Sequence, residues 1–451
     1  MKIFLVTPQY LGTITGSGGL YVLELSRELS LLKHDVEVLT PLVGNQKEEE
    51  TISLEACCCA SPRQSGKVTV RRFPIPDSRL IRNPFEGSKD TEIKRLDVFK
   101  EKVIQYLSRN ANKKSIVHLN GHFSIPGMAR DLKKFPRLKI VTSIHSLESI
   151  SEAKKEENSI SKFLLHYIQE KEKDALLYSD CVIFWSQALK DEIAWMYPDI
   201  IKQARINVIP FGIPRHFTED EFLAPEKVIL IKEKYKITDR FLLYLGRIDP
   251  TKGLEYLIHS FPPLIRRLKA ALGQQYQPYS LLIAGLLEFK NAMYAEKLQK
   301  IKNQIKDEEI RDSIHIVPDS SVIIDKEYLY RLASVFTLPI IVSPFGLSLI
   351  EAIIKKTPFV ASGVEGILEI LNLPKINAPF IPVKGGVVVD FHNPMNRMEN
   401  YTEALYHAVL HHDKLKKSIL SLRQRTLEKY SWKKLINRII AIYKGLMKEH
   451  Q

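Results

Sequence analysis

The chain has 451 residues, of which 45% are hydrophobic and 26% charged. At roughly 150 residues per domain this length allows two or three domains, and no apolar run approaches the ~20 residues of a membrane helix. The 66 Lys and Arg residues exceed the 52 Asp and Glu residues, giving a net charge of +14, which favours an anionic partner such as a nucleotide, a polyphosphate or an acidic membrane. Because the cations are scattered and no basic stripe is interleaved with aromatic residues, the sequence argues against a nucleic-acid partner.

The first residues and the cysteines bear on the cellular location. Residues 1–8 carry one cation and only four apolar residues before Thr7, too few for the core of a signal peptide, and we interpret them as a buried first strand. Three of the four cysteines are adjacent, at Cys57, Cys58 and Cys59, and such neighbours cannot form a disulfide framework or a spaced zinc site. We therefore expect a cytoplasmic protein with no transmembrane segment.

Short apolar runs rich in β-branched residues recur along the first half, separated by longer segments of helical period. This alternation predicts a parallel sheet covered by helices. We expect strands at residues 3–6, 36–39, 116–119, 140–144 and 182–185. The weakly patterned segment 45–67 is interpreted as a mobile loop.

A glycine-rich turn, GSGGL at residues 16–20, follows the first strand and opens a helix. Gly18 and Gly19 let backbone amides approach a ligand, with the positive end of the helix behind them. A tight turn without any ligand explains the same residues equally well.

The chain divides near residue 213. Prolines and a glycine end the first series of strands within residues 206–214, and the polar stretch 218–227 is typical of a linker. A second series follows, with strands expected at residues 241–245, 280–284, 314–317, 335–338, 358–361 and 386–389. The sequence thus predicts an α/β fold of two doubly wound, Rossmann-like parallel-sheet domains facing a cleft, residues 1–212 and 213–428.

The last segment, residues 429–451, has an apolar stripe at helical spacing that includes Trp432, Leu435, Ile436 and Ile439. A terminal helix that packs back on the first domain is our preferred interpretation. A helix lying on a membrane surface, and with it a peripheral membrane contact, is the alternative.

The connection after the first strand of the second domain carries two cations. In residues 243–253, LYLGRIDPTKG, a strand ends at Leu245 and a helix begins near Leu254. Arg247 and Lys252 therefore lie at the carboxyl edge of the sheet, where α/β domains bind ligands. Two cations there suit a diphosphate held by charge-assisted hydrogen bonds, although ordinary surface cations on a loop would give the same pattern.

A second turn lies about ninety residues later, in PIIVSPFGLSLIEA at residues 339–352. It exposes the amides of Gly346 and Leu347 ahead of a helix that carries Glu351. Such amides can bind a phosphate, and a carboxylate one turn into the helix can accept two hydroxyls of a ribose. The alternative is that Glu351 only caps or solvates its helix.

Taken together, these segments resemble the retaining GT-B glycosyltransferases of family 4, which include sucrose-phosphate synthases, glycogen synthases and many mannosyltransferases. The resemblance covers nearly the whole chain and depends on motifs that it shares with the family. These motifs are Gly18-Gly19, Val208-Ile-Pro-Phe-Gly212, Gly246-Arg247 with Lys252-Gly253, Phe345-Gly346-Leu347 with Glu351-Ala352, and Tyr430-Ser-Trp432.

The resemblance implies that the second domain binds a nucleoside diphosphate sugar. It places Arg247 and Lys252 on the diphosphate as catalytic groups. It also implies donor-binding roles for Gly18, Gly19, Gly346, Leu347 and Glu351. The family has a catalytic histidine on a loop of the first domain, and in VHLNGHFSIPG at residues 117–127 the spacing favours His122 over His118 at the strand end or over Asn120. His145 and Ser343 are further candidates for contacts with the sugar or the acceptor.

Two positions depart from the family pattern. Ser343 replaces a glutamate that lies eight residues before the position of Glu351, so it supplies no negative charge near the transferred sugar. Glu365 replaces the first of two adjacent glycines, while Gly366 and Glu369 still match. These departures put the sugar specificity and the turnover in question.

The implied reaction moves a hexose from a nucleotide diphosphate sugar to a carbohydrate, lipid or small-molecule acceptor, with retention at the anomeric carbon. We expect no metal and no other cofactor, since the sequence has no suitably placed Asp-x-Asp. One alternative is a weakly active or inactive relative that binds a nucleotide sugar or a partner. Another is an epimerase or a phosphorylase on the same two-domain plan.

Overall fold

The chain folds into two compact units. Unit 1 comprises Met1–His216 and Tyr430–Gln451, and unit 2 comprises Phe217–Lys429. The computed structural model describes residues 1–14, 16–55, 65–111, 114–121, 125–146, 149, 161–218, 223–287, 291–319, 321–343 and 345–449. Each unit is a mainly parallel sheet with helices against it, which confirms the predicted fold class of two Rossmann-like domains.

Unit 1 is built on an eight-stranded sheet. Its strands are β1 (Lys2–Val6), β2 (Asp35–Leu42), β3 (Glu49–Glu55), β4 (Ser65–Pro74), β5 (Ser115–Asn120), β6 (Leu138–Ile144), β7 (Cys181–Phe184) and β8 (Ile206–Val208). Their order across the sheet is β3-β4-β2-β1-β5-β6-β7-β8. From β1 the chain adds strands on one side and then crosses to add β5 on the other, so the switch point lies between β1 and β5, where α/β sheets bind ligands.

Six α-helices precede the linker in the described residues of unit 1. They are α1 (Ser17–Leu31), α2 (Lys89–Asn110), α3 (Ala129–Leu132), α4 (Lys162–Tyr178), α5 (Gln187–Met196) and α6 (Pro198–Ile201). The side chains of Ser88, Ser161 and Ser186 cap α2, α4 and α5 by accepting a hydrogen bond from the amide three residues later. Serine is a preferred N-cap for this reason.

The loop predicted over residues 45–67 is wrong in part, because β3 and the start of β4 lie within it. β3 pairs antiparallel with β4 at the edge of the sheet, from Glu49 opposite Arg71 to Glu55 opposite Ser65. An edge strand faces solvent and tolerates charged residues, so it lacks the apolar run of a central parallel strand. Cys57, Cys58 and Cys59 lie outside the described residues.

Unit 2 is built on a seven-stranded sheet. Its strands are β9 (Arg240–Leu245), β10 (Tyr279–Ala284), β11 (Ile314–Val317), β12 (Val335–Leu338), β13 (Phe359–Ser362), β14 (Phe380–Val383) and β15 (Gly386–Val389). The order is β11-β10-β9-β12-β13-β15-β14, and among these described strands β14 is antiparallel to β15 while the other pairs are parallel. The switch point of this sheet lies between β9 and β12, the two strands whose following connections carry the predicted donor site.

Nine helices of the described ranges belong to unit 2. They are α7 (Pro225–Tyr235), α8 (Leu254–Leu272), α9 (Ala292–Asn303), α10 (Glu308–Asp312), α11 (Val322–Leu332), α12 (Leu347–Ile354), α13 (Glu365–Leu371), α14 (Arg397–Leu410) and α15 (His412–Lys429). None of the helices in the described part of the chain, in either unit, is long and apolar enough to cross a membrane.

The last helix, α16 (Trp432–Lys448), belongs to unit 1. Its apolar stripe is buried there, and the Tyr443 hydroxyl lies 2.5 Å from Nδ1 of His118 in β5. The amide of Ile213 donates to the Tyr430 carbonyl at 2.8 Å. A Cβ at Gly212 would come within 2.6 Å of the Trp432 ring. The motifs that end in Gly212 and in Trp432 therefore pack directly against each other.

Candidate functional site

The connection after β9 holds Arg247 at the carboxyl edge of the unit 2 sheet. The amide of Gly246 donates to the carbonyl of Ala284, the last residue of β10, at 3.2 Å. The Tyr244 hydroxyl donates to the Arg247 carbonyl at 2.7 Å. These two bonds fix the backbone next to Arg247, whose side chain is 43% exposed.

Asp249 adds a carboxylate that the sequence analysis did not single out. It accepts a hydrogen bond from the Thr251 amide at 3.0 Å, and its Oδ2 lies 3.4 Å from Nη2 of Arg247. Burial acts to raise the pKa of Asp249, but the charges of Lys252 and Arg247 and the Thr251 hydrogen bonds outweigh it and hold the pKa below its usual value. Asp249 is therefore an anion placed to hold both cations on this connection.

The connection after β12 touches the connection after β9. The Ile341 amide donates to the Thr251 carbonyl at 2.9 Å. Gly253 has a φ of +59°, and a Cβ there would come within 2.2 Å of the Pro339 carbonyl oxygen. Glycine is needed for this approach. Because β9 and β12 are paired neighbours, the structure brings the two predicted donor-binding segments together at one sheet edge.

Gly346 and Leu347 form the turn that begins α12. Gly346 has a φ of +129°, and a Cβ there would lie 2.6 Å from Cδ1 of Ile367 in α13. Gly346 has no side chain with which to cap α12, so the amide of Leu347 is among the first donors at a positive helix end. Ser343 is buried, and its hydroxyl donates to the Phe345 carbonyl at 3.2 Å. It therefore supports the backbone of this turn.

Glu351 is buried and engages two residues that the sequence analysis missed. Nζ of Lys326 donates to Oε1 at 2.6 Å, and the Tyr330 hydroxyl donates to Oε2 at 3.0 Å. Burial and the charge of Glu351 raise the pKa of Tyr330 well above its usual value. Both partners lie on α11, more than twenty residues earlier, and no spacing rule links them to the recognised motif.

In unit 1, Gly18 and His145 meet at the strand ends. His145 follows β6, and a Cβ added at Gly18 would lie 3.1 Å from its Nδ1. Gly19 is packed equally closely, 3.1 Å from Cγ1 of Ile14. The His145 ring stacks on Trp185 with centroids 3.9 Å apart.

Both ring nitrogens of His145 are buried without a hydrogen-bond partner among the described residues. Burial holds the pKa of His145 well below its usual value, and the neighbouring His118 lowers it further. The ring is therefore neutral at pH 7, with one donor and one acceptor for a ligand to satisfy.

The other candidates near the end of β5 are His118, Asn120 and His122, and they differ in their surroundings. His118 lies inside β5 and not at its end, which corrects the expectation, and its ring nitrogens contact the hydroxyls of Tyr443 and Ser143, the second at 2.7 Å. Burial lowers the pKa of His118 to about 3, so it is a satisfied core residue. Asn120 ends β5, and its Oδ1 has no partner in the described part of the chain. His122 lies outside the described residues.

Within the described ranges, no group of three or more His, Cys, Asp or Glu side chains could hold a metal ion. The charged groups of the unit 2 edge instead form pairs of opposite sign. Chemically, this edge offers a guanidinium, an ammonium, helix-start amides and two buried carboxylates, Asp249 and Glu351. That set can bind a phosphate group and accept hydrogen bonds from hydroxyls.

Two family models match the chain. The model described as "Glycosyltransferase Family 4" matches residues 18–217, and the model described as "Glycosyl transferases group 1" matches residues 228–405. The first range covers most of the N-terminal part of unit 1, and the second covers most of unit 2.

Known proteins match over most of their length. The chain is 26% identical over 381 residues to an uncharacterised glycosyltransferase of Methanocaldococcus jannaschii, covering 82% of this chain and 83% of the relative. It is 23% identical to the alpha-maltose-1-phosphate synthase of Mycolicibacterium smegmatis, covering 98% and 99%. The solved sucrose-phosphate synthase of Thermosynechococcus elongatus superposes with a TM-score of 0.72 at 19% identity, covering 99% of each chain.

Proposed function

Since this chain belongs to the GT-B glycosyltransferases of family 4, which act on nucleotide sugars, we propose that it transfers a hexose from a nucleoside diphosphate sugar to an acceptor with retention at the anomeric carbon. Unit 2 binds the donor, and unit 1 binds the acceptor. A carbohydrate, a lipid headgroup or another small hydroxyl compound serves as the acceptor. The site of action is the cytoplasm.

The observation that carries the donor assignment is the contact between the two connections at the switch point of unit 2. Arg247 and Lys252 come from the first connection, and Gly346, Leu347 and Glu351 come from the second. The bond from the Ile341 amide to the Thr251 carbonyl joins them. Cations and helix-start amides bind the diphosphate, and the buried carboxylate accepts the ribose hydroxyls.

In the proposed mechanism, the bond from the anomeric carbon to the diphosphate breaks and negative charge accumulates on the β-phosphate. Arg247, Lys252 and the amides of Gly346 and Leu347 stabilise this charge, and loss of one such donor typically costs roughly 10²- to 10³-fold in rate. The departing diphosphate takes the proton of the acceptor hydroxyl. That hydroxyl bonds to the carbon on the face that the diphosphate left, which retains the configuration. No metal is part of this proposal, because the four donors supply the positive charge.

For unit 1 we assign the sugar and acceptor contacts to the strand ends. Gly18 and Gly19 allow a ligand to reach the first turn of α1. The neutral ring of His145 exchanges hydrogen bonds with a hydroxyl, and His122 contributes the catalytic contact with the transferred sugar. Ser343, in unit 2, lies beside that sugar in place of a carboxylate.

The test of the donor assignment is a panel of UDP-, ADP- and GDP-sugars in thermal unfolding. A ligand at a hundred times its Kd adds about 2.7 kcal/mol to the free energy of unfolding. The stabilising donor is then incubated with glucose, glucose 1-phosphate and fructose 6-phosphate, and NMR reads the anomeric configuration of the product. An inverted product would rule out retention, and a panel without stabilisation would rule out the donor site.

Two variants separate transfer from binding alone. Ser343→Glu restores the family carboxylate, and we expect it to change donor preference or turnover. Glu351→Ala removes the ribose contact, and we expect weaker donor binding. If neither the wild type nor Ser343→Glu transfers sugar to any acceptor while Glu351→Ala still loses donor binding, only nucleotide-sugar binding remains.

A further inference from the structure

Helix α11 holds the Glu351 carboxylate through two side chains. Lys326 donates to one carboxylate oxygen at 2.6 Å, and Tyr330 donates to the other at 3.0 Å. The side chains of Glu351 and Lys326 are 9% and 19% exposed. Each carboxylate oxygen has two lone pairs, so each keeps one acceptor position after these bonds are made. The carboxylate is left able to accept two further hydroxyls.

The two holding side chains are themselves fixed by packing. The Tyr330 ring is fully buried and lies 5.3 Å from the Phe336 ring and 6.1 Å from the Phe217 ring. The hydroxyl of Thr357 donates to the Tyr330 carbonyl at 2.6 Å. Nζ of Lys326 lies 4.7 Å above the centre of the Phe217 ring, within the range of a cation–π contact.

Lys326 also supplies the charge that a buried carboxylate needs. An ionised carboxylate out of water is costly unless it is paired, and removing one partner of a buried pair leaves the other charge uncompensated. Without Lys326, Glu351 would turn towards water, and this change disturbs its acceptor geometry. The ion pair with Lys326 therefore holds the Glu351 carboxylate in one orientation before any ligand binds.

We propose that Lys326 and Tyr330 are positioning residues that select ribonucleotide donors, by holding Glu351 so that it accepts hydrogen bonds from both the 2′- and the 3′-hydroxyl. This inference rests on the proposed function, in which Glu351 contacts the ribose. It assigns ribose recognition to α11 as well as to α12. A donor that lacks the 2′-hydroxyl leaves one acceptor position of a buried carboxylate unfilled, so the site disfavours it.

The test compares the Kd values of UDP, ADP and GDP with those of their 2′-deoxy forms by calorimetry. We expect the wild type to prefer the ribose form by about 10-fold, the effect of one hydrogen bond to a charged group. Lys326→Met should weaken binding of the ribonucleotide by about 10-fold and reduce the preference to under about 3-fold. Tyr330→Phe should lower the preference less, and Lys326→Arg should restore it.

The matched control is Lys234→Met. Lys234 forms an ion pair at 2.7 Å with Asp325, the residue next to Lys326 on α11, and no contact joins it to Glu351 in the described structure. This variant should keep both the affinity and the ribose preference. Circular dichroism melts confirm that each variant is folded.

Two outcomes would overturn the inference. If Lys326→Met and Tyr330→Phe both keep the full ribose preference, these residues are only structural. If Glu351→Ala leaves the ribose preference unchanged while Arg247→Ala weakens nucleotide binding, α11 has no part in ribose recognition, although the proposed diphosphate site is supported. If no nucleoside diphosphate binds the wild type, the proposed function itself fails.

Discussion

The switch points of the two sheets share one topology and differ in chemistry. At the edge of unit 2 the polar groups are charged and already engaged, as in the pair of Lys326 with Glu351. At the edge of unit 1 they are neutral, and Asn120 and His145 keep polar atoms without partners among the described residues. The same scaffold thus presents paired charged groups in one unit and neutral groups with unpartnered polar atoms in the described part of the other.

The two sets of groups are suited to different ligands. Fixed charges of opposite sign need little reorganisation when they bind an anionic ligand, because their orientation is set before binding. Buried neutral groups without partners carry a cost that a hydroxyl-bearing ligand relieves by completing their hydrogen bonds. Variants that act on one unit only test this difference between the two edges.

The largest effect is expected from Trp432→Ala, which removes the ring packed on Gly212. Loss of a buried tryptophan costs about 3 to 5 kcal/mol of unfolding free energy, and this cost should fall on unit 1 alone. Urea unfolding reports unit 1 through tryptophan fluorescence, since the three tryptophans, at positions 185, 195 and 432, all lie there. The control is Trp195→Ala, whose side chain is 82% exposed. Loss of nucleotide binding by unit 2 would show that the cost is not confined to unit 1.

Arg247→Ala and Lys252→Ala should each weaken binding of a nucleoside diphosphate by about 1.5 to 3 kcal/mol, the value of a hydrogen bond to a charged group. Unit 1 should keep its urea midpoint. Isothermal calorimetry supplies the Kd, with Lys297→Ala as the control because Lys297 is an exposed cation of the same unit. Full nucleotide affinity in the double variant would place the diphosphate elsewhere.

Acid should destabilise unit 1 before unit 2. Burial lowers the pKa of His118 to about 3, and the pKa of His145 is also well below its usual value. The unfolded chain therefore binds these protons first, and stability is lost as the pH falls below about 6.5. For His118 the loss is about 2 kcal/mol at pH 5, and His145 adds to it.

The measurement is the urea midpoint from tryptophan fluorescence between pH 7.5 and 5. His118→Gln keeps a donor and an acceptor but does not titrate, so it should flatten this slope by about half. A flat wild-type profile would show that these rings are not held neutral.

The smallest effect is expected from Gly18→Ala. Its new methyl group would press on the His145 ring, and we expect turnover to fall about 10-fold, or ~1.4 kcal/mol. Gly16→Ala is the matched control, because a Cβ there meets nothing within 4 Å. Equal turnover in the two variants would remove His145 from the reaction.

The sequence predicted the central strands of both sheets well, because parallel strands buried on both faces are apolar runs. It missed β3 at the edge, where solvent permits charged residues. The sequence also placed Arg247, Lys252 and Glu351 at one edge of the unit 2 sheet, because the turn residues that mark a strand-to-helix connection are local in sequence.

Contacts made through tertiary packing were not readable from the sequence. Lys326 reaches Glu351 from another helix, and nothing in its own segment marks it. The sequence pattern placed both His118 and His145 near strand ends. The structure distinguishes them, because the ring of His118 is hydrogen-bonded and the ring of His145 has no hydrogen-bond partner among the described residues. The assigned role of His122 stays a prediction.

The return of α16 to unit 1 has a consequence for how the protein is made. On the ribosome, every strand of unit 2 emerges before the 17 residues of α16 do. Unit 2 can close its core while synthesis continues, whereas unit 1 still lacks Trp432 and Tyr443. The part of unit 1 that is translated first is thus completed only after unit 2, and a nascent chain exposes its unfinished surface to chaperones until α16 has emerged.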